Sequence, residues 1–301
     1  MKCFFLLTIL SAVCIPLFAQ NILSNEQLVS LAPDGVKVVP NIEYREGHPR
    51  WKLDLAMPSE KATKPRPAIV FVHGGGWKNG DKRRGYFLQG ALEYAAKGYV
   101  CITVNYRLTQ TAPFPACVED VKNAVRWLRA HADEYGVDPE RIGAYGNSAG
   151  GHLVLMLGLV PEEADLEGDG TYLDQPSQVQ AVFASVAPTD FPNWPKGLGR
   201  FTQPNGLLSG TEGTVEERAA KASPISYVSK DMPPIYLVYG SRDGLVQPSQ
   251  GESFVKAAKE AGAEDIEMKI YEGAGHGAFT QHQDETHPAM EKFFERTLRG
   301  D

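Results

Sequence analysis

Gly146-Asn147-Ser148-Ala149-Gly150 decides how this chain is read. The residues before it, 142–146, form a short run with the marks of a strand, and Ala149–Leu159 after it is almost wholly apolar and helix-like. A serine between a strand and a helix sits on a strained turn that pushes its hydroxyl out of the fold. Glycines are needed on either side, because a side chain there would crowd strand against helix. The helix that begins at Ala149 also points unpaired backbone N–H groups at the same spot. The stretch therefore predicts an exposed nucleophile at Ser148.

Working outward, eight strand-like runs are found at 36–44, 51–57, 66–73, 99–106, 142–146, 179–188, 234–240 and 266–271. Most are rich in β-branched or aromatic residues and bounded by Gly or Pro. Helical segments are expected at 83–97, 115–135, 149–159, 249–261 and 288–298. Ser249 with Glu252 reads as a capping box, and Asp138-Pro139 as the turn closing the second helix. The run 51–57 alternates Trp51, Leu53 and Leu55 with Lys52 and Asp54, which predicts a half-exposed strand. Residues 68–72 are continuously apolar, as in a strand covered on both faces by helices. Two strands followed by strand–helix alternation predict an α/β fold: a mostly parallel eight-stranded sheet with helices on both faces and an antiparallel edge. No repeat or linker divides the chain, so 20–301 reads as a single domain. Two polar stretches, 162–178 and 191–212, interrupt the alternation, and loops of that length are usually functional.

His73-Gly74-Gly75-Gly76-Trp77 directly follows the buried third strand. Consecutive glycines let backbone N–H groups approach a developing oxyanion closely. The donors are assigned to Gly75, Gly76 and Ala149, with the register of the glycines open by one residue. His73 is read as an anchor of the loop rather than a catalyst.

A serine on such a turn works with a histidine that comes last in the chain and an acid between them. Of seven histidines, His276 in Glu272-Gly273-Ala274-Gly275-His276-Gly277 lies in a glycine-flanked loop after the last strand, and it is chosen as the base. Asp243, just after the seventh strand, is chosen as the acid that fixes its tautomer. Asp190, after the sixth strand, is the rival.

The formal charge of −7 disfavours nucleic acid and anionic membranes, either of which would select a basic patch. Met1-Lys2, an apolar run to Leu17 and Ala19-Gln20 read as a signal peptide over 1–19, cleaved near Ala19. The run is too short for a membrane span. Val13 before Cys14 argues against a lipoprotein anchor, so the chain is expected to be exported and released, to the periplasm or beyond. Cys101 and Cys117 lie too far apart along strand and helix for a disulfide and are read as buried thiols. No metal site and no cofactor is expected. Asp165, Glu167 and Asp169 faintly resemble a calcium loop, but Pro176 stands where the bidentate Glu belongs, leaving a solvated acidic loop.

With these residues in view, the chain resembles the hormone-sensitive-lipase-like branch of α/β-hydrolase esterases. In look it is nearest to secreted bacterial feruloyl and acetyl xylan esterase-type members. The matching stretches are His73–Trp77, Tyr106-Arg107-Leu108, Phe114-Pro115-Ala116, Ser148 to Leu153, Pro188-Thr189-Asp190-Phe191 and Gly275-His276-Gly277. Asn147 stands where many relatives carry Asp or His, which leaves the mechanism untouched. The resemblance implies a serine carboxylic-ester hydrolase acting through an acyl-enzyme, on small-molecule or polysaccharide-linked esters. Acetyl or feruloyl esters of plant cell-wall polysaccharide are favoured, since the chain lacks the long helical cap of many lipases and an open site is expected. A general short-chain carboxylesterase or lipase is the alternative. A prolyl-oligopeptidase-like peptidase would need a propeller domain that the thirty-odd residues before the fold cannot encode. A catalytically dead binding protein would be expected to have lost a triad member. Trp77, Phe191 and Trp194, with Phe201, are candidates to line the acyl or sugar site.

Overall fold

A computed structural model describes residues 22–300. The signal-peptide and anchor readings at 1–19 lie outside the described residues. The strands are β1 (Val36–Glu43), β2 (Lys52–Pro58), β3 (Arg66–Val72), β4 (Val100–Val104), β5 (Val137–Asn147), β6 (Ala181–Ser185), β7 (Ile235–Gly240) and β8 (Ile266–Tyr271). The helices are α1 (Asn25–Ser30), α2 (Gly85–Ala96), α3 (Ala116–Ala130), α4 (Ala132–Tyr135), α5 (Ala149–Leu159), α6 (Gly199–Thr202), α7 (Val215–Lys221), α8 (Ser249–Glu260), α9 (Ala278–Gln281) and α10 (Gln283–Phe294).

All eight strands join one sheet in the order β1-β2-β4-β3-β5-β6-β7-β8. β2 pairs antiparallel with β1 and with β4, and every later pairing is parallel. Every residue of β4 and β6 is buried. Successive side chains of a strand point to opposite faces, so both faces of the sheet are covered there. The register sets Val72 beside Gly146, Asn147 beside Ser185, and Gly240 beside Tyr271. The carboxyl ends of the parallel strands thus lie along one edge, where open α/β sheets bind their ligands.

Several local expectations are corrected. β2 is not half-exposed: Asp54 is 3% exposed. It is buried because Arg83 binds both its oxygens at 2.7 and 2.9 Å and Lys82 approaches at 2.6 Å. Burial would raise the Asp54 carboxyl, but these cations hold it below its ordinary value. Asp138-Pro139 belongs to the start of β5, although Asp138 still accepts from the Glu140 N–H at 3.1 Å in a turn-like contact. Ser249 does not cap α8: Pro248 holds that position, and Glu252 bonds its carbonyl through the backbone. The last helix starts at Gln283, with Pro288 inside it, because Glu285 and Thr286 N–H groups close the first turn on the His282 carbonyl.

The acidic stretch after α5 is not simply solvated. Glu167 is clamped by the buried Lys122 and Arg126 of α3, and Ser177 donates to it at 2.8 Å. Asp169 meets Arg45 at 2.9 Å. Cys101 and Cys117 are free and buried.

Candidate active site

Ser148 stands between β5 and α5 with φ 56 and ψ −121, a conformation that non-glycine residues rarely adopt. Close packing around the bend enforces it. A Cβ on Gly146 would come within 2.2 Å of the Gly150 carbonyl, and one on Gly150 within 2.1 Å of the Val72 carbonyl. Such strain at a turn is a recurring mark of functional sites.

His276 follows β8 and places Nε2 2.9 Å from Ser148 Oγ. Its other nitrogen, Nδ1, lies 2.7 Å from Oδ2 of Asp243, just past the end of β7. The Asp243 side chain is fully buried, whereas that of His276 is 28% exposed and can meet a substrate. Burial alone would raise the Asp243 carboxyl. The bond from His276 and the N–H groups of Val246 and Leu245, at 3.0 and 2.8 Å, bring it below its ordinary value. Asp243 therefore stays ionised beside the imidazole. Asp190 does not approach His276: its two oxygens accept from the backbone and side-chain nitrogens of Asn193 at 3.1 and 2.8 Å. It closes a loop instead.

The glycine loop runs beside the serine. Among the described residues, the N–H groups of Gly75, Gly76 and Ala149 have no protein acceptor. His73 is buried and stacks on Tyr106 with ring centroids 4.4 Å apart. Burial lowers its pKa to about 4, so the ring is neutral. Nδ1–H then donates to the Gly74 carbonyl at 2.8 Å, and Nε2 accepts from Arg50 at 3.1 Å. The same Arg50 nitrogen donates to the Gly80 carbonyl at 3.1 Å, which ties the two ends of the loop together. Asn105 holds the exit, accepting from the Lys82 N–H at 2.8 Å and donating to Asp81 at 2.9 Å. Arg50 and Asn105 were not singled out in the sequence. Asn105 stands next to a quoted motif, while nothing local marks Arg50.

A cavity of about 400 Å³ opens over Ser148. Trp77, Trp194 and Phe201 line it, together with Gly75, Gly76 and His276. Phe191 does not. It is 0% exposed and packs beneath, against Trp77, Trp194, Phe201 and His152. Its role is to support the lining aromatics. Pro188, at the start of a quoted stretch, also faces the cavity, as do Asn79, Arg200, Leu245 and Val246, which were missed because no motif marks them.

A family model described as BD-FAE matches residues 53–258, which span the glycine loop, Ser148 and Asp243. This chain belongs to the BD-FAE family of α/β-hydrolase esterases. It is similar to the esterase LipC of Mycobacterium tuberculosis, 32% identical over 235 residues, covering 76% of this chain and 57% of LipC. Among solved structures, a truncated carbohydrate esterase from gut microbiota is 26% identical with a TM-score of 0.75, covering 87% of this chain and 96% of that one. Thermogutta terrifontis esterase 2 phosphorylated by paraoxon is 28% identical with a TM-score of 0.69, covering 87% and 94%. The chain spans about half the length of the curated relatives it matches. Among the described residues of this BD-FAE chain no helix is long and apolar enough to cross a membrane.

Proposed function

We propose that this chain is an exported serine carboxylic-ester hydrolase acting through an acyl-enzyme on acetyl or feruloyl esters of plant cell-wall polysaccharide. The observation that carries the chemistry is the continuous chain from Ser148 Oγ through His276 to Asp243, at 2.9 and 2.7 Å. His276 Nε2 takes the serine proton as Oγ attacks the ester carbonyl. The tetrahedral oxyanion accepts from the Gly75, Gly76 and Ala149 N–H groups. His276 then protonates the departing alcohol, and the acyl group remains on Ser148. Water attacks the acyl-enzyme with His276 again as base, and the carboxylic acid leaves. Asp243 keeps the Nδ1–H tautomer and stabilises the imidazolium at each step.

The cavity supports the substrate class. Its volume fits a small ester rather than a long acyl chain, and Trp77, Trp194 and Phe201 offer flat faces for a phenolic or sugar ring. Similarity to a carbohydrate esterase from gut microbiota points the same way. The charged start and apolar run before Ala19 support export. Incubation with p-nitrophenyl acetate should give a burst of one nitrophenol per active site, absent in Ser148→Ala. Turnover of acetylated xylan or methyl ferulate should exceed that of long-chain nitrophenyl esters. A Ser148→Ala protein with full activity would overturn the mechanism; preference for long chains would overturn the substrate class.

A further inference from the structure

Although the chain carries a net charge of −7, among the described residues no aspartate or glutamate lines the cavity over Ser148. Among the described residues its one permanently charged lining residue is Arg200. A smaller recess of about 100 Å³ adjoins it, sharing Trp194, Arg200 and Leu245, and there Lys196 is added, among the described residues again with no acidic residue. Both cations are exposed. Among the described residues neither forms an ion pair or a side-chain hydrogen bond, a state Arg200 shares with Arg84 and Arg242, whereas Arg45, Arg83, Arg107 and Arg126 meet carboxylates.

Arg200 is also held in place. Its guanidinium lies 5.1 Å from the ring centre of Phe201 and 5.8 Å from that of Trp194. Stacking on aromatic faces restrains the guanidinium and leaves its N–H fork available. A planar fork of this kind matches a carboxylate in two parallel hydrogen bonds.

We infer that the ester substrate carries a carboxylate, bound by Arg200 with Lys196 beside it at the mouth of the Ser148 cavity. This rests on the reading of Ser148 as an esterase nucleophile acting on polysaccharide esters. It narrows that reading to acidic substrates, either a uronate on the alcohol side or a second carboxyl on the acyl side. Neutral esters of the same size lack the partner for Arg200.

The test compares kcat/KM within two matched pairs. One is the acetylated methyl glycosides of glucuronic acid and of glucose; the other is p-nitrophenyl hemisuccinate and p-nitrophenyl butyrate. The anionic member of at least one pair should be preferred by about fivefold, the upper range for an exposed ion pair. The pair that shows the preference identifies the side that bears the carboxylate. The preference should weaken with added salt. In Arg200→Gln the ratio should collapse towards unity, in Arg200→Lys part of it should remain, and in Arg200→Glu it should invert. Lys196→Gln should lower it less. Equal rates within both pairs, or a preference that Arg200→Glu leaves intact, would overturn the inference while esterase activity still stands. Absence of turnover on every ester would instead remove the esterase reading beneath it.

Discussion

The indole N–H of Trp77 donates to Nδ1 of His152 across 3.2 Å, joining the glycine loop to the helix that begins behind Ser148. Nε2–H of the same histidine donates to the Ala222 carbonyl at 2.8 Å, so one buried ring braces both elements. Trp77→Phe leaves a buried acceptor unmatched, which costs about 1–3 kcal/mol. Because the loop also carries the oxyanion donors, kcat/KM for p-nitrophenyl acetate should fall roughly tenfold or more. His152→Leu should do the same, and the double variant should be less impaired than the sum, with a coupling on the order of 1 kcal/mol in urea unfolding. Strict additivity would show that the contact is incidental.

His152 and His73 also set a pH dependence of stability. Burial lowers each ring to about 4, against an ordinary 6.5 in the unfolded chain. Between those values the unfolded state binds more protons, so stability is full above pH 6.5 and is lost as pH falls towards 4. At pH 5 the loss should be about 2 kcal/mol per ring. His152→Gln removes its own share. Urea unfolding at pH 7 and 5 should show the variant losing about 2 kcal/mol less over that interval than the parent. An equal pH dependence in both proteins would mean that His152 is not held neutral by the fold.

The parts of the fold legible in the sequence were those marked by local chemistry. The strand–turn–helix around Ser148, the glycine run after β3 and the buried run of β3 itself need no distant partner to be recognised. Ser24 with Gln27 and Thr214 with Glu217 form complete capping boxes for α1 and α7, yet these helices are short and carry no long apolar stripe, so the signal passed unread. Long-range pairing was the harder class. Asp54 looked solvent-facing because the cations that bury it, Lys82 and Arg83, lie beyond the next strand. Arg50 gave no hint that it would reach His73 and Gly80. Phe191 and Trp194 looked equivalent as loop aromatics, and only their packing places one beneath the cavity wall and the other in it.

Asp190 and Asp243 each follow a strand of the parallel sheet, and the sequence favoured Asp243 while keeping Asp190 as the rival. Asp243 alone touches His276, and Asp190 spends both oxygens on Asn193. Asp243→Asn should therefore lower kcat by about 10³–10⁴, since an amide stabilises the wrong tautomer and cannot balance the imidazolium. Asp190→Asn should change kcat less than about tenfold, its cost appearing as up to ~1–3 kcal/mol of stability from the disturbed loop. Pre-steady-state acylation of both variants would check this. The reverse order of effects would reassign the acid.

Gly75 and Gly76 separate the oxyanion loop's geometry from its mere flexibility. Gly75 has φ 116, and a Cβ there would come within 2.2 Å of the Asn79 carbonyl. Asn79 N–H closes the turn back onto the Gly75 carbonyl at 3.0 Å, so neither side can yield without opening the turn. Gly76 has φ 62, and its Cβ position meets open space. Gly76→Ala should cost only the left-handed strain of about 1–2 kcal/mol and keep its N–H directed as before. Gly75→Ala must shift the backbone that carries two of the three donors, and kcat should fall by about 10²–10³. Circular dichroism of both variants should remain that of the parent, which assigns the difference to the site. Comparable kcat losses in the two would mean that the hole does not depend on the turn closed by Asn79.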